Sequence, residues 1–194
     1  MPIRRKTALF FGSFNPVHNG HLMLANYLVE YGGLDDLWFI VSPHNPFKDK
    51  ETLLDDRHRL RMLELAVEGD ERFEVSDIEF YMPKPSYTID TLVRLSERYP
   101  NNEFYLVCGL DNLKRFPKWK NADIILRDYH ILVYPRKGFD GGEMLQHPHV
   151  HLLDAPEIEV SSTFIRNAVS EGRDVRYFMP EKVYKYIDEM RFYK

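Results

Sequence analysis

The chain predicts an α/β fold built on a doubly wound parallel sheet, and three observations in its 194 residues carry that reading. Short apolar runs recur along it: Ala8-Leu9-Phe10-Phe11, Leu37 to Val41, Phe104 to Cys108 and Ile131 to Val133. Uncharged runs of this length suit strands covered on both faces, as parallel strands are. Segments with helical apolar spacing separate them, which is what parallel crossovers require. Two of the runs end in a glycine, Gly12 and Gly109, followed by polar residues. Such a strand end, opening into a helix, is where α/β proteins bring free N–H groups and the helix dipole to bear on an anion.

Taken in order, the first strand gives way at Gly12 to a turn through Ser13, Asn15 and Pro16. A helix then runs from Gly20 to about Leu28, with Leu22, Leu24, Ala25 and Leu28 on its packed side. His18 and His21 stand three residues apart at its start, on one face, placed for both imidazoles to donate to one phosphate. Gly32-Gly33 stops the helix, and Leu37 to Val41 forms the second strand. Ser42 to Lys50 is a proline-containing loop in which Lys48 is either a solvated charge or a phosphate contact.

Asp55 or Asp56 caps a helix reaching about Glu68. Leu60, Leu63, Leu65, Ala66 and Val67 form its apolar side, with Arg57 and Arg61 in solvent. Phe73-Glu74-Val75 is a short strand, Pro83 and Pro85 mark a loop, and Ser86 opens a helix that ends before Pro100. The strong strand Glu103 to Cys108 delivers Gly109 and Asp111 to the ligand edge, where Asp111 is a helix cap or a ligand group. Trp119 either packs in the core or stacks on a ring.

A helix around Ile124 to Leu126 leads to the strand His130 to Tyr134, beyond which Arg136 again faces the ligand edge. Phe139 to His149 is the least regular stretch. The alternating His147, His149 and His151 read as a surface connection and a strand start, because no cysteine or carboxylate joins them at a recognised metal spacing. Ser161-Ser162-Thr163 caps a further helix, and Arg166 follows Ser162 by about one turn, aimed at the same anion. A last amphipathic helix carries Val183, Tyr186, Ile187 and Met190 on its core side. The expected whole is one domain over 1–194, a Rossmann-like doubly wound sheet with a C-terminal helical segment.

Composition narrows the function. Thirty acidic against 26 basic residues give a formal net charge of −4, which argues against broad adhesion to nucleic acid or an acidic membrane while allowing a local positive pocket. Cys108 is the only cysteine, which excludes an intrachain disulfide and a multi-cysteine zinc site and fits a reducing compartment. Arg4-Arg5-Lys6 leads into a strand rather than a signal segment, and no apolar run approaches the roughly 20 residues that span a bilayer, so a cytoplasmic location is expected. The sequence sets no oligomeric state.

Four separated motifs, in order along nearly the whole chain, carry a resemblance. Gly12-Ser-Phe-Asn-Pro-Val-His-Asn-Gly-His21 resembles the His-x-Gly-His signature of the nucleotidyltransferase superfamily, in the fuller form found in bacterial nicotinate-nucleotide adenylyltransferases. Ser86-Tyr-Thr-Ile-Asp-Thr-Leu92, the Gly109-x-Asp111 to Trp119 region and Val160-Ser-Ser-Thr-Phe-Ile-Arg166 are similar to further segments of the same enzymes. Two positions depart from the pattern. Asn15 stands where aspartate is commoner, and Pro46-Phe47-Lys48 keeps the lysine but not the histidine of the relatives' Pro-Pro-His-Lys.

The resemblance implies catalysis by His18, His21 and Arg166. It implies ATP binding by those three together with Gly12, Ser13, Phe14, Gly109, Asp111, Arg136, Ser161, Ser162 and Thr163. It assigns the mononucleotide to Asn15, Lys48, Tyr87, Thr88 and Trp119. It needs no dedicated protein metal site, Mg²⁺ arriving with ATP. The implied reaction needs no serine or cysteine nucleophile: the phosphate of nicotinate mononucleotide attacks the α-phosphorus of ATP and pyrophosphate leaves. A pantetheine-phosphate or cytidylyl transferase is the enzymatic alternative, and a nucleotide-binding regulatory protein the non-enzymatic one.

Overall fold

The computed structural model describes residues 4–43 and 53–194. Six strands form one sheet: β1 (Arg5–Gly12), β2 (Asp36–Val41), β3 (Phe73–Ser76), β4 (Asn102–Gly109), β5 (His130–Tyr134) and β6 (Val150–Leu152). They are ordered β3-β2-β1-β4-β5-β6, and every pairing is parallel. The helices between them are α1 (Asn19–Tyr31), α2 (Asp56–Val67), α3 (Thr88–Arg98), α4 (Leu110–Leu113) and α5 (Ala122–Asp128), with α6 (Ser162–Ser170) and α7 (Glu181–Glu189) following the last strand. This is the expected α/β architecture with its C-terminal helices. Strand order reverses between β1 and β4, so a crevice opens beyond their carboxyl ends, at Gly12 and Gly109.

The strand pleat divides the core in two. Ala8 and Phe10 of β1 point to one face, where they join Leu24, Ala25 and Leu28 of α1, Met62 and Leu63 of α2, Ile165 of α6 and Val183 and Ile187 of α7. Leu9 points to the other, against Trp38, Leu92 and Leu95 of α3, Leu113 of α4 and Ile125 of α5. Nearly all of these side chains are fully buried. Both sides of β1 are therefore clamped, which fixes the height at which Gly12 ends the strand.

The structure corrects the packed side of α2. Its buried residues are Arg59, Met62 and Leu63, whereas Leu60, Leu65, Ala66 and Val67 are only partly covered. The helix is rotated because Arg59 has a reason to go inside: Nε donates to the Leu54 carbonyl (2.9 Å), Nη1 to those of Ser13 (2.7 Å) and Ser42 (2.9 Å), and Nη2 to that of Pro43 (3.1 Å). The irregular stretch after β5 contains a 3-10 turn, Gly142–Gln146, and β6 includes His151. His151 Nε2 lies 2.9 Å from Nδ1 of His130, and Nδ1 of His149 lies 2.7 Å from the Leu126 carbonyl oxygen. Among the described residues no group of three or more His, Cys, Asp or Glu side chains is arranged to hold a metal ion. Among them, too, no helix is long and apolar enough to cross a membrane.

Candidate active site

The turn from β1 to α1 is buried from Ser13 through His18, an unusual state for six loop residues, and its packing explains how it stays ordered. Phe14 adopts a left-handed conformation (φ 46°) and folds its ring back beneath the strand end. There it meets Phe10, Phe39 and His21 edge-on, at ring-centroid separations of 5.6, 5.6 and 5.1 Å. A Cβ on Gly12 would stand 2.8 Å from that ring, so only glycine fits. Phe14 is thus the plug under the site, with no face open to a ligand.

The backbone carbonyls of this turn are held from behind by arginines. Arg59 takes that of Ser13, and Arg166 Nη1 donates to that of Asn15 at 2.9 Å. Ser162 Oγ donates to the Pro16 carbonyl at 2.9 Å, while Ser161 accepts from the Phe164 N–H and caps α6. The Asn15 side-chain oxygen accepts from the Tyr193 hydroxyl (2.8 Å) and the Leu54 N–H (3.3 Å). Asn15 therefore ties three separate segments together beneath the turn.

His18 is the N-cap of α1 and is 5% exposed. Its ring stacks on that of His21 at 3.7 Å, and a Cβ on Gly20 would come within 3.0 Å of its Nδ1, so glycine is what admits the stacked pair. His21 Nδ1 accepts from the His18 N–H at 3.2 Å. A neutral His21 then carries its proton on Nε2, where it is a donor. Burial, aided by the positive charge of Arg136, pushes the His18 pKa down from 6.5 to about 4, so this imidazole is neutral at pH 7. Its Nδ1 and the Ser13 hydroxyl are buried without a hydrogen-bond partner. Unpaired buried polar atoms at a glycine-edged turn are suited to a polar ligand.

Across the crevice, Arg136 leans over the Tyr134 ring, its guanidinium 5.2 Å from the centroid, with Nε 3.9 Å from Oδ1 of Asp111. Both of those atoms are buried and lack a hydrogen bond. Asp111 and Arg136 line a cleft of about 350 Å³ together with Arg115, Pro135, Lys137, Phe139, Glu157, Ile158 and Glu159. Ile158 also faces Gly20, which joins the cleft to the start of α1. Gly109 caps α4 at the same edge.

The residues expected to meet a mononucleotide form a second group. Tyr87 is the N-cap of α3 and Thr88 its first residue, and Lys120 lies 4.5 Å over the Tyr87 ring while bonding to Asp90 (2.9 Å). Trp119, next to Lys120, is half-buried and packs on Phe116 at 5.2 Å. So His18, His21, Asp111 and Arg136 converge, Arg166 and Ser162 brace the turn from behind, and Tyr87, Thr88 and the Trp119 segment gather on the α3 side. Lys48 lies outside the described residues. Ser161 and Thr163 are exposed, with Thr163 Oγ1 accepting from Arg166 at 3.4 Å.

Sequence reasoning missed Arg59, Tyr193 and Glu79. Arg59 had a signal: it precedes Met62 and Leu63 by three and four residues, so it shares their helix face. Tyr193 and Glu79 had none, since their partners lie far away or across an irregular turn.

An open parallel sheet with a buried, glycine-edged turn, paired imidazoles and arginines at its switch point defines an α/β nucleotide-binding protein of the nucleotidyltransferase kind. A family model described as cytidylyltransferase-like matches residues 9–168. A protein of Flavobacterium johnsoniae named probable nicotinate-nucleotide adenylyltransferase is 50% identical over 191 residues, covering 97% of this chain and 99% of the relative. One of the same name from Bacteroides fragilis is 52% identical over 184 residues, covering 95% and 92%. Among solved structures, Plasmodium falciparum nicotinic acid mononucleotide adenylyltransferase complexed with NaAD superposes with a TM-score of 0.81 at 18% identity, covering 97% of both chains, a likeness of fold. The chain belongs to the cytidylyltransferase-like family and, within it, to the nicotinate-nucleotide adenylyltransferases.

Proposed function

We infer that this protein transfers the adenylyl group of ATP to nicotinate mononucleotide, forming nicotinate adenine dinucleotide and pyrophosphate in NAD biosynthesis. The observation that carries the reading is the stacked His18–His21 pair on a turn whose carbonyls are turned inward onto arginines. A phosphate oxygen of the acceptor forms the new bond to the α-phosphorus, and the bond from that phosphorus to the bridging oxygen of the β-phosphate breaks. Charge spreads over the non-bridging oxygens as this happens, and imidazole donors held rigidly in place stabilise it without reorganising.

His18 and His21 are assigned to the transferring phosphate, with Gly12, Ser13 and Phe14 shaping its seat. Gly109, Asp111 and Arg136 are assigned to the adenosine end through their cleft. Ser161, Ser162, Thr163 and Arg166 form the pyrophosphate side. Asn15, Tyr87, Thr88, Trp119 and Lys48 are assigned to the acceptor. Mg²⁺ belongs to the triphosphate as part of the substrate, and we assign no protein side chain to it. The chain works as one nucleotidyltransferase domain over 1–194, in the cytoplasm.

The acid is the expected acceptor because the start of α3 offers N–H donors at Tyr87 and Thr88, which suit a carboxylate. The amide of nicotinamide mononucleotide would turn an NH₂ toward those donors and leave polar groups unpaired. Competition between the two acceptors at equal concentration, with Mg·ATP, tests this. Nicotinate mononucleotide is expected to win by about tenfold or more, the scale set by one unpaired polar group. Equal use of both would overturn the acid preference, and no pyrophosphate release with either would overturn the transferase reading.

A further inference from the structure

Glu79 is a buried carboxylate that the proposed chemistry leaves without a task. It lies in a 3-10 turn, Ile78–Tyr81, between β3 and α3, and is 3% exposed. Its two oxygens are separately occupied. Oε2 accepts from the Ser86 hydroxyl at 3.0 Å and Oε1 from the Thr91 hydroxyl at 2.8 Å. Ser42, just past the end of β2, brings a third hydroxyl to the carboxylate. Burial raises the pKa of Glu79, and hydrogen bonds from the Thr91, Ser86 and Ser42 hydroxyls offset part of that rise. Burying a carboxylate is expensive, and a carboxylate kept inside a protein with neutral donors alone stands out from the paired charges usually found there.

Ser86 and Thr91 bracket Tyr87 and Thr88 in sequence, the two residues at the start of α3. We propose that Glu79 is a positioning residue for acceptor recognition, its carboxylate fixing both flanks of the Tyr87–Thr88 turn so that this turn meets the acceptor in one orientation. The proposal rests on the assignment of that turn to the mononucleotide. With their hydrogens committed to Glu79, Ser86 and Thr91 have no proton to offer an acceptor, so donation there falls to the backbone N–H groups at the start of α3. A carboxylate acceptor then receives N–H bonds directed by the helix, and the hydroxyls serve the frame.

The frame also reaches the phosphate turn. Ser42 donates its N–H to the Gly12 carbonyl at 3.0 Å and accepts Arg59 on its own carbonyl at 2.9 Å. Glu79 thereby holds the α3 start at a set distance from the end of β1 at Gly12, from which the turn to His18 departs.

Glu79→Gln is the direct test, because it keeps the shape but places an NH₂ against one of two hydroxyls that must then reverse. Steady-state kinetics at saturating ATP are expected to give a KM for nicotinate mononucleotide raised about tenfold, the size of one misdirected buried hydrogen bond, with the KM for ATP within about twofold of wild type. Thr91→Val, which loses the hydroxyl at constant shape, should reproduce part of that rise, and Thr91→Ser should restore wild-type behaviour. A folded Glu79→Gln enzyme whose two KM values rise together, or neither of which rises, overturns the proposal. Should Glu79→Gln fail to fold, the same criterion applied to Thr91→Val and Ser86→Ala decides it. Wild-type turnover is the control: if wild-type enzyme does not use nicotinate mononucleotide, the functional reading itself fails, whereas normal turnover with unselective variants refutes only the role of Glu79.

Discussion

The depressed pKa of His18 makes the stability of this protein dependent on pH in a calculable way. The folded state holds the imidazole neutral down to about pH 4, while the unfolded chain protonates it near 6.5. Protons therefore bind the unfolded state first as pH falls. The stability contribution is complete above the unfolded value and is lost progressively between about 6.5 and 4. Multiplying that interval of about 2.5 pH units by about 1.36 kcal/mol each gives a full loss of about 3.4 kcal/mol, of which about 2 kcal/mol is already gone at pH 5. The assay is urea unfolding followed by tryptophan fluorescence at pH 7 and pH 5, for wild type and His18→Asn. Asparagine does not titrate and is a good N-cap, so α1 keeps its start. His130, whose pKa burial and its neighbours His149 and His151 also lower, contributes equally to both proteins and cancels in the comparison. Wild type is expected to lose about 2 kcal/mol more than the variant over this range. Equal losses would falsify the buried neutral state of His18.

His21→Ala removes an Nε2–H donor while leaving the core intact, and kcat should fall by about 10²- to 10³-fold as for other preorganised oxyanion donors; near-normal turnover in a folded variant would remove His21 from the chemistry. Arg166→Ala should raise the KM for ATP more than that for the acceptor, and Arg166→Lys should recover it only in part for want of the planar fork. An unchanged ATP dependence contradicts that placement. Arg59→Leu leaves buried carbonyls of Ser13, Ser42 and Pro43 without their donor and should destabilise the fold by about 3–5 kcal/mol, with a thermal midpoint lower by well over 5 °C. A midpoint within a degree or two of wild type would mean that water replaces the guanidinium.

Local information made much of this readable in advance. The run Ala8 to Phe11 says strand because each of its residues is apolar and two layers cover it, and the structure adds only which face each residue takes. The spacing of His18 and His21 at a helix start was legible for the same reason, since three residues of helix fix the relation of the rings. Arg59 escaped notice because charge is an unreliable guide to exposure when several carbonyls wait inside, and those carbonyls come from segments that no periodicity describes. Glu79 gives no signal in the sequence, because the hydroxyls that justify its burial sit 7 and 12 residues further on, around a turn. Asn15 shows the limit most clearly. Its lost charge relative to the commoner aspartate was visible, whereas the Tyr193 hydroxyl and the Leu54 N–H on its amide oxygen were not.

The braces behind the β1–α1 turn come from far along the chain. Pro16 and Ser162 are separated by 146 residues, Asn15 and Arg166 by 151, and Asn15 and Tyr193 by 178. A ribosome makes the turn well before it makes the residues that lock it. Contacts at such separation carry a loop-closure entropy that local contacts do not, so they are expected to form after the local ones. Activity is thus gated by completion: a nascent or prematurely released chain that has laid down its sheet carries both histidines but lacks the struts that hold them in register. The turn that carries His18 is made before its braces and is finished only when they arrive.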